Sequence, residues 1–322
     1  MAMSSVAVII AIHNSPVSVA QYYLEHFFSD RHIKGISSTI TEFSYTHASI
    51  KAIRFNTTQP SSIDRIDLNY RILETNPFNV DIDTLTIHKA IIHATVNDGK
   101  FEFGSIVDQL RTLSANTAPQ PSTPPAKWNI HHIEVNDSVL YVHYPNQTTV
   151  LPFTLTIEPL KEGFKGHLNI PMAKLVLLDY PLGEIGKLTV EGQVKGDVDF
   201  KSTPEATQIL SSKFSSLVPG TIKFVASDSI MQKYAEQPQM QLLLQALSNY
   251  HFQVADIVLA SDKNHRVKSS LTLKGTNPEL ANGRNVNINI NLNGNLFDLL
   301  SQNPYDVPPA VKSFIQSIGE QR

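Results

Sequence analysis

Histidine and aspartate are the residue types in this chain that could carry acid–base or metal chemistry. The chain has twelve histidines, but His131 and His132 are adjacent on a predicted strand and therefore point to opposite faces. His88 and His93, five residues apart, do the same on a regular strand. The local carboxylate cluster consists of Asp64, Asp67, Asp81 and Asp83. Because these aspartates lie in alternating sequence, we predict a solvated strand face, with a paired acid–base site as the alternative, and no metal site.

Sequence motifs of catalysis are missing from the chain. It contains no G-x-S-x-G, no H-E-x-x-H and no glycine-rich phosphate loop ahead of a helix. The absence of cysteine excludes disulfides, thiolate metal ligands and a cysteine nucleophile. A net charge of -3, with 17% charged residues, is not the basic footprint of a nucleic-acid-binding protein. We therefore predict no enzymatic activity, no cofactor and no nucleic-acid partner.

The clearest pattern in the sequence is an alternation of asparagine and aliphatic residues near the C-terminal end. Asparagine occupies every odd position from 285 to 295. The even positions between them hold Val286, Ile288, Ile290 and Leu292. Because successive side chains of a strand point to opposite faces, this segment has one aliphatic face and one amide face.

Alternation with a period of two recurs along the chain. It is clear in residues 66–72, 151–157 and 164–172. The apolar positions of these runs include Leu68, Tyr70, Leu155, Ile157, Leu168 and Ile170. Turn sequences separate the runs: "NDGK" at 97–100 and "NGR" at 282–284 suit tight hairpins, and Asn136–Asp137 is expected to be a turn. We predict a mainly β protein of roughly a dozen to sixteen short strands.

Helical periodicity is confined to a few short segments. They are residues 17–28, 105–113, 239–250, 296–300 and 308–318. Residues 114–125 are Pro-rich and polar and lack periodicity, which is typical of a linker or long loop. We therefore divide the chain into an N-terminal segment at 1–113, a linker at 114–125 and a C-terminal β module with terminal helices at 126–322.

The helices are too few to cover the aliphatic face of such a sheet. A dozen strands give roughly 1,100 Å² on each face. Four ten-residue helices cover roughly 600 Å². The remaining apolar surface must meet another part of the sheet, as in a sandwich or barrel, or something that is not this chain.

An apolar run near the N-terminus, Val6 to Ile12, has no basic residue ahead of it. Because about 20 apolar residues are needed to cross a bilayer, this run cannot span one by itself. It also lacks the features of a signal peptide. We expect it to be the end of an incomplete membrane anchor, with a short buried N-terminal segment as the alternative.

Two stretches of the C-terminal third resemble a known family. "QLLLQALSNYHFQVADIVLASD" and the "KGTNPELANGR" connection at 274–284, which runs into the alternating asparagine strand, resemble the C-terminal module of the YdbH-type branch of AsmA-like proteins. "YYLEHFF", followed by strands ending in "IDRIDLNYRI", is similar to the AsmA-like amino-terminal head. Members of this branch are usually longer, so the resemblance implies either a fragment, a product of a late start codon or a shortened relative.

This resemblance implies a fold and a role. The expected fold is an elongated, curled antiparallel sheet, or half-pipe, that forms an apolar groove. The implied function is binding and transfer of phospholipid between the inner and outer membranes of a Gram-negative envelope. The expected location is the periplasm, with attachment to the inner membrane by the N-terminal anchor. A small outer-membrane lipoprotein is the implied protein partner.

On this interpretation, the aliphatic strand positions would line a lipid groove. We assign to it Val286, Ile288, Ile290, Leu292, Leu271, Leu273, Leu168, Ile170, Leu155, Ile157, Leu68 and Tyr70. The alternative is a β-sandwich interaction or structural module of the periplasm without a lipid ligand, in which these residues close on one another.

Overall fold

A computed structural model describes most of the chain. The described residues are 15–30, 36–55, 60–75, 78–97, 100–102, 127–144, 147–181, 185–203, 207–261, 267–280 and 283–294. The helices predicted at 105–113, 296–300 and 308–318 lie outside them, as do the apolar run at 6–12 and the Pro-rich segment at 114–125.

The described residues form fifteen strands and three helices. The strands are β1 Ile36–Phe43, β2 His47–Phe55, β3 Ser61–Thr75, β4 Phe78–Asn97, β5 Lys100–Glu102, β6 Lys127–Ile130, β7 Ile133–Tyr144, β8 Gln147–Leu160, β9 Gly163–Pro181, β10 Gly186–Ser202, β11 Thr207–Ser216, β12 Gly220–Ala226, β13 Tyr250–Ser261, β14 Val267–Thr276 and β15 Asn285–Gly294. The helices are α1 Ser15–Asp30, α2 Asp228–Lys233 and α3 Pro238–Leu247.

The prediction of a mainly β protein with a few short helices is confirmed. Helices α1 and α3 lie where the periodicity predicted them. Helix α2 was not predicted, because its six residues are too short to establish a period. Its N-terminus is capped by Ser227, whose hydroxyl accepts a hydrogen bond from the amide of Ile230.

The chain divides into two compact units. The first contains the described residues within 1–94, 103–141 and 154–160. The second contains those within 95–102, 142–153 and 161–322. In the first unit the strands follow the order β1-β2-β3-β4-β7, and β6 pairs in parallel with β4. The pairs from β1 to β4 are antiparallel.

Helix α1 packs beside β1, which among the described strands pairs only with β2. The side-chain amide of Gln21 donates to the carbonyl of Ser38 at 3.1 Å and accepts from the amide of Ile40 at 2.7 Å. These are the two kinds of hydrogen bond that a neighbouring strand would make. Gln21 therefore satisfies backbone groups along the open side of β1.

The second unit follows the antiparallel order β9-β10-β11-β13-β14-β15. Strands β11 and β12 lie end to end along β10: residues 194–202 of β10 pair with β11, and residues 186–191 pair with β12. Strand β13 pairs with both. The break between β11 and β12 contains Pro219, which has no backbone amide to donate.

Helix α3 covers one end of this unit. It contributes Ala246 to a buried cluster that also contains Tyr250, Phe252, Leu273, Leu280 and Ile288. The fully buried amide of Asn277 donates to the carbonyls of Gln245 and Ala246, at 2.8 and 3.1 Å, in the last turn of α3. Because helix-terminal carbonyls have no partner within the helix, these bonds fix the C-terminal end of α3 on the connection between β14 and β15.

The two predicted hairpin sequences behave differently. Strands β4 and β5 pair directly across the "NDGK" sequence at 97–100, as predicted. The "NGR" sequence does not form a tight hairpin, because Thr276 pairs with Asn285 and eight residues connect them. The longer connection places Leu280 in the cluster under α3.

The turn predicted at Asn136–Asp137 is also wrong, because β7 runs through it without reversing. Asp137 has a φ of 50°, a conformation that aspartate tolerates better than most residues. The buried Ser138 hydroxyl then accepts a hydrogen bond from the amide of Ala90 at 3.0 Å and donates to the carbonyl of Asn136. The Ser138 side chain thus makes local hydrogen bonds at this irregularity, and β7 continues through it.

Candidate functional site

Strand β10 displays most clearly the two faces of the second unit. From Leu188 to Phe200 every even-numbered residue is glycine or apolar. From Lys187 to Lys201 every odd-numbered residue is polar or charged. The register shifts along β10 add a residue to its partners β9 and β11 and not to β10 itself. The even positions of β10 therefore define one apolar face and the odd positions one polar face.

The strand register extends this apolar face across the unit. Val198 and Gly196 of β10 pair with Leu168 and Ile170 of β9. On the other side, Gly196 pairs with Phe214, which in turn pairs with Ile257 of β13. The face therefore continues from β9 to β13 without a change of side.

The same register continues to the asparagine strand. Ile257 pairs with Leu271 of β14. On the same face, the pairs between β14 and β15 join Leu271 with Ile290, Leu273 with Ile288, Gly275 with Val286, and Ser269 with Leu292. Residues from β9, β14 and β15 that the sequence assigned to a lipid groove thus share one face of this unit.

The other predicted groove residues lie in the first unit. Leu68 of β3 pairs with Ala48 on one side and Leu85 on the other, within an apolar set. Leu155 and Ile157 are partly buried residues of β8.

Tyr70, also on β3, uses its polar end within the fold. Its hydroxyl donates a hydrogen bond to the backbone carbonyl of Ser44, in the turn between β1 and β2. Partial burial raises the pKa of Tyr70. Its hydroxyl is therefore occupied by the protein itself.

Burial differs along the apolar face of the second unit. Where α3 lies, Phe252 is 4% exposed, Leu273 1% and Ile288 6%. Leu168, Ile170, Val198, Ile257 and Leu271 are only partly buried. The face is therefore closed at the α3 end. Away from α3 these partly accessible residues lie beside two buried ones, Ala173 at 2% and Ile209 at 8% exposed.

Glycine–phenylalanine pairs form part of this face, and sequence reasoning missed them. Each of three phenylalanine rings lies over a glycine of the neighbouring strand. The pairs are Phe200 over Gly166, Phe214 over Gly196, and Phe252 over Gly220. The sequence holds only part of the signal: Gly192 and Gly196 occupy even positions of β10 where an apolar face would otherwise carry a side chain, but which ring fills each place depends on the register.

The polar face of this unit carries a hydrogen-bonded network. Ser211 donates to Asp199 at 2.6 Å, and His167 Nδ1 lies 2.8 Å from the same carboxylate. These two contacts, that of Ser211 first, lower the pKa of Asp199. Asn169 donates to Asp197 at 2.7 Å. Asp197 and Asp199 occupy odd positions of β10 and therefore lie on the side opposite the apolar face.

In the first unit two aspartates are less solvated than predicted. Asp81 is 8% exposed, with Arg71 Nη2 and His131 Nε2 each 2.7 Å from its carboxylate. These contacts, that of His131 first, lower the pKa of Asp81. The prediction of a solvated face is therefore wrong at this position, because the side chains of Arg71 and His131 replace water around the carboxylate.

Asp67 is the second of these aspartates, and its surroundings do not form a nucleophile–base pair. The buried Ser49 donates to Asp67 at 2.8 Å rather than to a histidine. His88 Nε2 lies 3.1 Å and Arg65 Nε 2.9 Å from the same carboxylate. A serine hydroxyl bound to a carboxylate and removed from solvent is placed for structure and not for attack. Within the described ranges no group of histidines and carboxylates could hold a metal ion.

Comparison with known families bears on the second unit. Residues 169–303 match the family described as YdbH-like, intermembrane phospholipid transport protein YdbH. This stretch of the chain is similar to that family, and we refer to it as the YdbH-like region. The YdbH-like region begins in β9 and takes in β10 to β15, α2 and α3, and it confirms the resemblance found in the C-terminal third. The similarity of the N-terminal segment to an AsmA-like head lies outside the matched residues.

Two further observations concern the chain. No curated protein matches it. Among the helices that the structure describes, none has the length and apolar character needed to cross a membrane.

Proposed function

We propose that the chain binds phospholipid along the apolar face of the second unit and takes part in moving it between two membranes. The observation that carries this proposal is a face of aliphatic and phenylalanine side chains, partly accessible away from α3, within the YdbH-like region. The matched family is described as a transport family, with no catalytic activity named. Acyl chains would lie against this face in a groove, with the asparagine face of β15 toward water.

The energy available from such a face is sufficient for lipid binding. Each methylene group taken out of water contributes about 0.8 kcal/mol, so ten methylenes of an acyl chain contribute about 8 kcal/mol before ordering costs. The polar groups that could oppose this transfer lie on the opposite face, among them the network around Asp199. Binding of acyl chains is therefore the interaction that this face favours.

Native mass spectrometry of protein purified from bacteria tests the proposal directly. The wild-type chain is expected to carry phospholipid. Leu271→Asp should remove it, because a carboxylate facing hydrocarbon is costly to desolvate. Thr272→Asp is the matched control, since Thr272 is the next residue of β14 and lies on the polar face. Equal lipid loading in both variants would contradict the proposed face.

Attachment to the inner membrane is the second part of the proposal. The apolar run at 6–12 would belong to an anchor that holds the protein in the periplasm of a Gram-negative cell. Fractionation of the native gene product with and without this run tests the attachment. A native product that stays out of the membrane fraction would contradict it.

The partner part of the proposal concerns β15. Among the described strands β15 pairs only with β14, and it contains neither a charged residue nor proline to block further pairing. A small outer-membrane lipoprotein would add a strand here. Asn291→Pro removes one backbone amide and should weaken that complex without lowering thermal stability. Lower stability together with unchanged binding would mean that β15 is an internal strand.

A sandwich module without lipid is the second candidate, and the α3 end favours it. There the apolar face closes on residues of this chain, as Ile288 and Leu273 do. Absence of lipid from the purified wild-type chain would support this candidate.

A further inference from the structure

The three phenylalanine rings of the apolar face are seated as closely as glycine allows. A methyl group placed on Gly166 would lie 2.3 Å from Cζ of Phe200, and one placed on Gly196 would lie 2.1 Å from Cδ1 of Phe214. Such separations are well inside van der Waals contact. Each ring therefore occupies the space that any other residue would fill with its own side chain.

Phe252 is seated in the same way over two glycines. Its Cζ would lie 2.3 Å from a methyl group on Gly220 and 2.9 Å from one on Gly192. The ring is buried beneath the end of the face that α3 covers. Phe200 and Phe214 are partly accessible.

The strand register arranges these rings on a diagonal. Positions along β10 give a common scale for the three rings. Phe200 is at position 200, Phe214 lies opposite Gly196, and Phe252 lies over Gly192. Each step to the next ring therefore moves four residues along β10. Four residues and one strand spacing separate neighbouring rings by roughly 14 Å, and the whole diagonal is roughly 28 Å long. Phe164 extends it at the accessible end, with its ring edge-on to that of Phe200 at 6.1 Å.

The polar side chains next to this diagonal are already occupied. Ser212 both accepts from the amide of Leu259 at 2.9 Å and donates to its carbonyl at 3.1 Å. Ser216 accepts from the amide of Ala255 at 2.9 Å. These hydroxyls hydrogen-bond β11 to β13. Because their polar groups are used within the sheet, the surface that remains for a ligand is apolar. A surface of this kind suits hydrocarbon and gives a peptide or a head group little to bind.

We propose that Phe200 and Phe214, the accessible part of this diagonal, form the floor on which one acyl chain of the ligand lies lengthwise, ending where α3 covers Phe252. The inference rests on the proposed function and assigns the residues that it leaves unspecified. An acyl chain spans about half of the ~30 Å hydrocarbon core, or about 15 Å. The accessible step from Phe200 to Phe214 matches that length.

A tryptophan reporter tests this floor. Trp128 is the single tryptophan of the chain, so Trp128→Phe gives a silent background. In that background Phe214→Trp places a reporter on the diagonal. Phe224→Trp is the matched control, because Phe224 is a partly buried residue of the same face that pairs with Leu188, off the diagonal. The probe is phosphatidylcholine brominated at mid-chain, supplied as vesicles, because bromine quenches tryptophan only at close range.

The expected result is a loss of fluorescence at position 214 and little loss at position 224. If the wild-type chain carries phospholipid but both reporters are quenched alike, or the control more strongly, the diagonal is overturned while the proposed function stands. If the wild-type chain carries no phospholipid, the proposed function fails and this inference with it. Should Phe214→Trp not fold, Phe200→Trp at the accessible end of the diagonal serves as the reporter, with the same outcomes.

Discussion

The covered and the accessible parts of one apolar face are built from the same residue types. Leu273 and Leu271 lie two residues apart on β14 and on the same face, yet Leu273 is 1% exposed beneath α3 and Leu271 is partly accessible. The sequence alternation is identical in both. What differs is how fully the cluster under α3 encloses the position, because Leu273 belongs to that cluster and Leu271 packs against its edge. An aliphatic strand face therefore does not by itself distinguish a core from a binding surface.

Truncating each of these leucines to alanine should give the largest difference in stability between the covered and the accessible part of the face. Leu273→Ala leaves a cavity in a closed cluster and should lower the free energy of unfolding by about 2 to 5 kcal/mol. Leu271→Ala should lower it by about 1 kcal/mol, because part of the side chain is already in contact with solvent. Urea unfolding of both variants measures the difference.

Lipid loading should be affected in the opposite order, with a larger loss in Leu271→Ala than in Leu273→Ala. Leu271→Ala removes contact area from the accessible part of the face, whereas Leu273 is out of reach under α3. Equal losses of stability, together with equal losses of lipid, would mean that the two parts of the face do not differ in function.

The hydrogen bonds from Asn277 to the C-terminal end of α3 should have a second, smaller effect on stability. Asn277→Ala leaves the carbonyls of Gln245 and Ala246 without their donor, which should lower the free energy of unfolding by about 1 to 3 kcal/mol. Hydrogen exchange of the α3 amides should accelerate. Asn287→Ala on the exposed amide face is the matched control, expected to change stability by at most about 0.5 kcal/mol. An unchanged rate of hydrogen exchange in α3 would show that Asn277 does not fix this helix on the apolar face.

The polar face should respond to pH and leave lipid loading alone. Because the pKa of Asp199 is lowered in the folded state, its contribution to stability is complete above the unfolded value of about 3.9 and is lost as the pH falls through the folded value. Asp199→Asn should remove that part of the acid sensitivity. The measurement is the thermal midpoint of wild type and variant between neutral and acid pH. A change in lipid loading at neutral pH would contradict the separation of the two faces.

What could be predicted from the sequence is what depends on period alone. The two faces of β15 follow from the alternation of asparagine with Val286 and Ile288, and pairing with β14 leaves that assignment unchanged. Helix α3 follows from its Leu-rich repeat. Which part of the face α3 covers could not be predicted, because it depends on Asn277 reaching back to the helix across 31 residues.

Long-range register explains the other failures. Asp81 was predicted to be solvated because its partners cannot be read locally: Arg71 lies across a strand pair and His131 is 50 residues away. The glycine under each phenylalanine ring is likewise visible only once the register is known. For Phe214 this means knowing that it lies opposite Gly196. The alternation in the sequence thus predicts which residues of a strand share a face, whereas the strand register determines which side chains lie next to one another on that face.

Gln21 has a consequence for how copies of this chain behave toward one another. An open strand edge is a template on which further strands can grow, as in cross-β fibrils. By bonding to the carbonyl of Ser38 and the amide of Ile40, one glutamine side chain occupies two backbone groups with which a further strand would pair. Its replacement by alanine would remove two hydrogen bonds from the fold but would open a nucleation site for aggregation, so the damage would grow with protein concentration.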